Sequence, residues 1–262
     1  MKRKIIPFLL LCLSVNFIFA AGIRLSNIES KFTPCHSVKA GKKLQQKIHF
    51  GFANTSGNTD TMYINGGYLA SFTTDGLYGQ PLKVAFDTSF YILKNNNIDE
   101  NEEYVANLGF EQLIVNEWLG YASFHWLKNK FRNYDDRYSF GTGIGKELFK
   151  DTKQSLKAKF NVVYNIKNYT NNQKDEKYGS INQYVEYMNE LNEISDFCLK
   201  VGASEKLDDV NDYHLMLVSS FNFNIADNLT LSIDEEIEYD KVPPIGFESL
   251  NTKTITRVGY SF

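Results

Sequence analysis

The sequence predicts an all-β protein: a transmembrane antiparallel up-and-down β-barrel of about 12 strands, behind a cleaved signal peptide. The end of the chain is the first sign. From Leu250 to Phe262 polar and apolar residues mostly alternate. Thr252, Thr254, Thr256, Val258, Tyr260 and Phe262 fall on one face; Lys253, Arg257, Gly259 and Ser261 fall on the other. Period-two alternation marks a strand whose faces meet different solvents. Soluble domains rarely stop on such a strand with an apolar aromatic. An outer-membrane barrel commonly does, and Val258, Tyr260 and Phe262 are the expected membrane-insertion signal, read by the barrel-assembly machinery. The start of the chain is the second sign, a secretory leader. The third lies between them. Aromatics make up 15% of the residues, and beyond the leader no apolar run is long enough for a spanning helix. The alternating runs reach roughly 12–14 residues, near or above the ~9–11 that cross a bilayer when tilted. A secreted β-sandwich would also alternate, but its strands usually run to about 5–6 residues.

Lys2, Arg3 and Lys4 precede an apolar stretch from Ile5 to Phe19, and Ala20, Ala21 and Gly22 supply small residues for cleavage. The stretch is shorter than the ~20 residues of a spanning helix, so it reads as a signal peptide rather than an anchor. The expected cut follows Ala20, with a cut after Gly22 as the alternative. Cys12 follows Leu9, Leu10 and Leu11, without the small residues that a lipoprotein cut would want. The expected organisation is residues 1–20 as signal peptide, 21–42 as a periplasmic N-terminal segment and 43–262 as the barrel.

The barrel elements follow in order. Ile48, Phe50 and Phe52 share a face of the first run, and Asn54–Asn58 form a polar turn. Met62, Ile64, Tyr68, Ala70 and Phe72 oppose Thr61, Tyr63, Asn65 and Ser71 in the second. Leu82, Val84, Phe86, Phe90 and Ile92 oppose Lys83, Asp87 and Ser89 in the third. A fourth strand covers about 103–113 and a fifth about 116–127, the latter with Trp118, Ala122, Phe124 and Trp126 on one face. The sixth, about 136–149, carries Gly141, Gly143 and Gly145 at period two, where a bulky side chain cannot fit or another segment packs close. No helix or Lys-Ser/Thr follows, which rules out a phosphate loop. The seventh is the clearest, with Leu156, Ala158, Phe160, Val162, Tyr164 and Ile166 opposite Lys157, Lys159, Asn161 and Asn165. Residues 167–180 read as a polar loop. Ile181–Leu191 fits a strand or an amphipathic helix equally well. Phe197, Leu199, Val201 and Ala203 then oppose Asp196, Cys198 and Lys200, and Leu215, Leu217, Phe221 and Phe223 oppose His214, Ser220 and Asn222. Leu229, Leu231, Ile233, Ile237 and Tyr239 oppose Thr230, Ser232, Asp234, Glu236 and Glu238. Glu235 breaks the apolar face. A carboxylate facing lipid is costly, so it is expected near an interface, beside a base or at a register shift.

With the N-terminus in the periplasm, the outward connections are 54–58, 95–102, 128–135, 167–180, 205–211 and 241–249. Those on the other side, near 73–80, 114–116, 150–153, 192–193 and 225–227, are shorter on the whole. Short periplasmic turns and longer outer loops are the habit of such barrels. The reading places the chain in a Gram-negative cell outer membrane with both termini periplasmic.

Three segments resemble the salt-induced outer-membrane protein family (YdiY-like). They are Gly51–Thr61 with its Ser-Gly-Asn-Thr turn, Tyr138–Gly145, and the ending with Tyr239-Asp240, Pro243-Pro244 and Gly259-Tyr260-Ser261-Phe262. The likeness spans about residues 43–262. It implies an outer-membrane barrel without an established activity, and it supplies no catalytic residues. Residues 180–195 look more divergent.

Removing residues 1–20 takes away three basic and no acidic residues, leaving 25 basic against 31 acidic, a charge of −6. That balance argues against a nucleic-acid partner. Cys35 and Cys198 remain, enough for one bond in an oxidising compartment but not for a disulfide framework. His36, His49, His125 and His214 show no HxxxH or HExxH spacing, and Cys35-His36 has no further ligands nearby, so neither a metal nor a cofactor is expected. Ser123 and His125 share a strand face, the arrangement a barrel lipase would need, but no His-x-Ser-Asn-Gly block accompanies them. The chain is therefore read as a non-enzyme.

The charges on the polar faces are the candidate functional residues. Lys47, Lys83, Asp87, Glu111, Glu117, Arg137, Glu147, Lys157, Lys159, Asp234, Glu236, Glu238, Lys253 and Arg257 are expected to line the lumen. The expected activity is a narrow channel for ions or small solutes, or an osmotic-response envelope component, the latter from the resemblance alone. The alternative is a closed structural barrel whose outer loops, chiefly 95–102 and 167–180, bind partners. A lipid-modifying barrel enzyme is a third reading. The expected partners are outer-membrane lipid, the assembly machinery, and ions or small solutes.

Overall fold

The computed structural model describes residues 44–56, 61–93, 101–129, 134–169, 174–209, 211–243 and 248–262. These residues form twelve strands: β1 (Gln45–Ser56), β2 (Thr61–Asp75), β3 (Pro81–Leu93), β4 (Asn101–Val115), β5 (Trp118–Asn129), β6 (Tyr134–Lys150), β7 (Gln154–Tyr169), β8 (Glu176–Asn192), β9 (Ser195–Lys206), β10 (Tyr213–Ala226), β11 (Leu229–Asp240) and β12 (Leu250–Ser261). Each pairs antiparallel with its sequence neighbours, and β12 returns to β1 to close the barrel. Closure removes the unpaired edges that lipid could not satisfy. Among the described residues no helix is long and apolar enough to cross a membrane; the strands do the crossing.

The alternation in sequence becomes an inside and an outside. Phe50, Phe52, Ile64, Phe140, Phe160, Tyr164, Leu215 and Tyr260 stand exposed on the outer wall. The residues next to them in sequence point the other way and are buried: Asn65 beside Ile64 and Asn161 beside Phe160 are 1% exposed, and Asn182, the register partner of Asn161, is 0%. An apolar exterior around a polar interior inverts a soluble core and fits a barrel whose outer solvent is hydrocarbon. Outer aromatics also pack on one another across strands, as Phe197 does on Phe221 with ring centroids 4.7 Å apart.

With twelve antiparallel strands, the start of β1 and the end of β12 share one rim. Phe262 N donates to Gln46 O there at 3.1 Å. The β2–β3, β4–β5, β6–β7, β8–β9 and β10–β11 connections lie at the same rim and are tight. Asp151 Oδ1 accepts from the backbone N–H of Lys153 and Gln154, at 2.7 Å each, which fixes the β6–β7 turn. Asn116 and Glu117 both take positive φ (45° and 69°) in the two-residue β4–β5 turn, matching the twist of the flanking strands.

Several boundaries differ from the sequence reading. Residues 181–191 are strand, part of a β8 that begins at Glu176, and β7 runs on to Tyr169. The expected 167–180 loop therefore shrinks to the short stretch between them. Tyr178, Ser180, Asn182, Tyr184, Glu186 and Met188 alternate inward, while Gln183 stands exposed among Ile181, Val185 and Tyr187 on the outer side. One polar residue outside and one methionine inside were enough to blur the period. Glu117 was expected inside but occupies the β4–β5 turn, exposed, because a bulge at Leu113/Val115 ends β4 before it. Glu235 shows no shift in its register with Thr254; its Oε2 accepts a hydrogen bond from Thr254 Oγ1 at 2.6 Å. The leader, Cys35, His36 and the Gly57–Asp60 part of the first hairpin lie outside the described residues.

Candidate functional site: a cross-linked charged lumen

The inner wall is organised as two charged clusters, each spanning strands that are not neighbours. In the first, Glu111 on β4 holds two lysines from β7. Lys157 Nζ lies 3.3 Å from its Oε1 and Lys159 Nζ 3.3 Å from its Oε2. β5 and β6 stand between those strands, so both lysines cross over them. The glycines of β6 make the crossing possible. A Cβ on Gly145 would sit 2.9 Å from Lys159 Cγ and 2.7 Å from the Tyr121 ring, and one on Gly143 would run into Asn161 Oδ1. The crowding expected of this face is met at Gly145 by Tyr121 and Lys159 and at Gly143 by Asn161. Lys159 Nζ also sits 4.2 Å from the Tyr121 ring centroid and 5.1 Å from that of Tyr184, so aromatic faces help to solvate it. Glu186 on β8 pairs with Lys200 on β9 at 3.9 Å. Lys83 on β3 is the register partner of Glu111 and lies within Coulombic range of Lys157, Glu186 and Lys200.

The second cluster faces it. On β11, Asp234, Glu236, Glu238 and Asp240 repeat at period two and are all buried. Arg257 on β12 pairs with Asp234, and His214 Nδ1 on β10 lies 2.7 Å from Asp240 Oδ1. Lys253 on β12 reaches across the lumen to β4: its Nζ lies 3.8 Å from Glu103 Oε2 and 4.2 Å from the ring centroid of Tyr91 on β3. Asn129 Nδ2 donates to the same Glu103 oxygen at 2.7 Å.

A third, mostly uncharged belt joins the two. Asn107 Nδ2 donates to Asp87 Oδ2 at 2.8 Å, and Asn107 Oδ1 contacts His125 Nδ1. Further round, Ser139 Oγ donates to Asn165 Oδ1 at 2.7 Å, Arg137 Nη2 donates to the same oxygen at 3.3 Å, and Asn165 Nδ2 donates to Ser180 Oγ at 3.0 Å. Asp87, Asn107, His125, Ser139 and Asn165 lie on one continuous register line from β3 to β7. His125 Nδ1 is thus directed at Asn107, not at Ser123.

Of the residues singled out from sequence, Asp87, Glu111, Arg137, Lys157, Lys159, Asp234, Glu236, Glu238 and Arg257 are buried on the strand face opposite the apolar exterior. Lys47, Lys83 and Lys253 are half-buried there, and Glu147, beside a β6 bulge, pairs with Lys150 at 3.3 Å. Glu103, Lys167, Glu186 and Lys200 belong with them and escaped that set. Glu103 has the parity of Glu111, and Lys200 the parity of Asp196, so both were open to the alternation argument. Lys167 and Glu186 fell in the segments read as loop or left undecided. Cys198 is buried on the inner side of β9 and is disulfide-bonded. Among the described residues no group of three or more His, Cys, Asp or Glu is placed to hold a metal ion.

The match to a known family spans residues 48–262, almost the whole of this wall, and the family is described as a protein of unknown function, DUF481. The chain belongs to that family. No curated protein matches it. Among solved structures, the NanC porin superimposes with a TM-score of 0.52 at 10% identity, covering 82% of this chain and 98% of its own. An outer membrane channel from Pseudomonas putida F1 gives 0.53 at 8% identity, covering 84% and 95%. The translocator domain of the autotransporter NalP from Neisseria meningitidis gives 0.50 at 9%, covering 84% and 89%. At these identities the likeness is one of fold: this DUF481 chain is built as an outer-membrane β-barrel.

Proposed function

We propose that this DUF481 chain sits in the outer membrane and forms a narrow polar channel for ions or small solutes. The carrying observation is the separation of charge along the inner wall: β7 presents the Lys157 and Lys159 ammoniums, and β11, four strands away, presents the Asp234–Asp240 carboxylates. Rings of fixed charge are how barrels select ions and polar solutes. Two of the fold neighbours are a porin and an outer membrane channel, which supports the reading. The rim bearing both strand termini and the tight turns faces the periplasm. The exposed side chains of Val258, Tyr260 and Phe262 at that rim form the insertion signal for the assembly machinery. The acidic balance of the chain disfavours nucleic acid, and a role in the osmotic response of the envelope follows from the family resemblance.

Refolded protein in a planar bilayer tests this directly: discrete conductance steps are expected, and their absence at high protein density rejects the channel. One observation favours a second reading, a closed interaction barrel. The lumen charges are paired across the barrel, Lys253 to Glu103 and Lys157 to Glu111, so the network also acts as a filling. In that case the connections around 94–100 and 170–175 carry the partner contacts.

A further inference from the structure

We infer that the solute of this barrel is a small hydroxylated carboxylate, held in the lumen by the lysine cluster from Lys83 to Lys200 and by the amides of Asn161 and Asn182. The inference rests on the channel reading and names the class of molecule that the channel takes. Lys83 on β3 and Lys200 on β9 stand six strands apart in a ring of twelve, half the circumference, yet they lie within Coulombic range of one another. The cluster that they end therefore bridges the lumen, and a solute crossing at this level passes it. Between them come Lys157 and Lys159 with Glu111, and Glu186 beside Lys200. Four ammoniums meet two carboxylates. Three further charges reach the edges of the cluster. Glu147 and Arg257 bring partners of their own, Lys150 and Asp234, and Asp87 accepts from Asn107. With Asp87 counted, one positive charge remains in excess, which favours an anion. Lys83 is half-buried, whereas Lys157, Lys159 and Lys200 are buried, so an entering solute meets Lys83 first.

Room lies beside the cluster. Ser71, Ala85, Gly109, Ser123 and Gly141 form one register line on the inner face of β2 to β6. Ala85 is the next inward residue after Lys83, and Gly109 the one before Glu111. All five are half-buried, and a Cβ on Gly109 would meet nothing nearer than the Ala85 carbonyl at 4.0 Å. The inward residues of β7, by contrast, are buried throughout. The small residues thus leave a strip where a solute can lie against the lysines. Asn161 and Asn182 meet the end of that strip. They are register partners on β7 and β8, one inward step beyond Lys159 and Tyr184. The Asn161 side chain lies over Gly143, the next inward residue after Gly141, because a Cβ on Gly143 would run into its Oδ1. Both amides are buried, and among the described residues neither Nδ2 nor Oδ1 of either has a hydrogen-bond partner. Buried amides are almost always paired. Each of these two offers a donor and an acceptor together, and a hydroxyl answers both whereas a bare anion answers only the donor. A carboxylate bearing hydroxyls therefore satisfies the ammoniums at one end and the amides at the other.

The test titrates the full mature protein, purified in detergent, with gluconate, acetate and glucose by calorimetry. Gluconate is expected to bind about tenfold more tightly than acetate, and glucose to give no heat of binding. Lys83→Gln is expected to weaken gluconate and acetate alike, by about tenfold. Asn161→Ala with Asn182→Ala is expected to bring gluconate down to the level of acetate and to leave acetate unchanged. Both variants keep the pairs of Glu111 with Lys157 and Lys159, and circular dichroism checks that each is folded. No heat with gluconate overturns the inference. So does glucose binding as tightly as gluconate, acetate binding as tightly as gluconate, or a folded variant that binds gluconate like the unsubstituted protein. Planar-bilayer recording separates this from the channel proposal. A barrel that binds gluconate and never conducts keeps the site and removes the channel. A conducting barrel without gluconate binding does the reverse.

Discussion

The inner faces of β7 and β11 hold charge in opposite ways. β7 presents lysines, and Lys157 and Lys159 extend over two intervening strands to reach Glu111. β11 presents carboxylates on short stems, and the partners of Asp234 and Asp240 come from the strands next door, Arg257 on β12 and His214 on β10. The difference is one of reach. A four-carbon ammonium can span a lumen, whereas an aspartate can only be met. The basic wall therefore ties distant strands together, and the acidic wall reinforces ladders that already exist.

The largest expected consequence falls on Glu111. Replacing it by Gln takes the carboxylate from two ammoniums, whose side chains are 3% and 1% exposed. Breaking a buried pair costs about 3–5 kcal/mol, and Glu111→Gln is expected at the upper end of that range. Asp234→Asn takes the carboxylate from a single guanidinium and is expected to cost less. Urea midpoints of the two variants in lipid vesicles measure the difference, and the reverse order would show that the crossing lysines tie nothing.

The next effect tests the path that the lysines take. Gly145→Val places methyl groups where Tyr121 and Lys159 now pack and is expected to cost about 1–3 kcal/mol, as overpacking does. Gly109→Ala is the matched control, because a Cβ there would have the Ala85 carbonyl as its nearest neighbour, at 4.0 Å. It is expected to leave the midpoint unchanged. If both substitutions behave alike, the β6 glycines serve the strand rather than the bridge.

These contrasts also show what could be read in advance. β7 was legible because six apolar residues alternate without a break against Lys157, Lys159, Asn161 and Asn165. β8 was not, because Gln183 faces out and Met188 faces in, and each reverses the sign that a periodicity argument counts. The strand number and the closing strand followed from local pattern. The two clusters did not, because the Lys157–Glu111 and Lys253–Glu103 contacts depend on which strands face each other across a closed wall. Parity alone assigns a residue to the inside and says nothing about its partner. Glu117 shows the limit at a strand end, where a bulge and a two-residue turn move it off the wall that its alternation implied.

Ion selectivity probes the same comparison through the permeating ion. Lys157→Gln with Lys159→Gln removes positive charge from one wall, and Glu236→Gln with Glu238→Gln removes negative charge from the other. In a salt gradient the first pair is expected to shift the reversal potential toward cation preference and the second toward anion preference. Shifts of the same sign would mean that the two walls do not act separately on the permeating ion.

The smallest effect lies on the outside of β11, where sequence neighbours of the same type face opposite solvents. Glu236 is 1% exposed toward the interior, and Glu235 is half-buried on the outer face. The Glu235 carboxylate is compensated by the hydrogen bond from Thr254 Oγ1. Acidic residues on the lipid face cost less than lysine or arginine, so Glu235→Leu is expected to stabilise the barrel in vesicles by about 1 kcal/mol or less. Glu236→Leu keeps the same shape change but takes a carboxylate from the polar interior, where Lys253 is its register partner, and it is expected to destabilise. The opposite signs are the point. If both substitutions stabilise, the interior of β11 is as apolar as its exterior, and the assignment of the two faces is wrong.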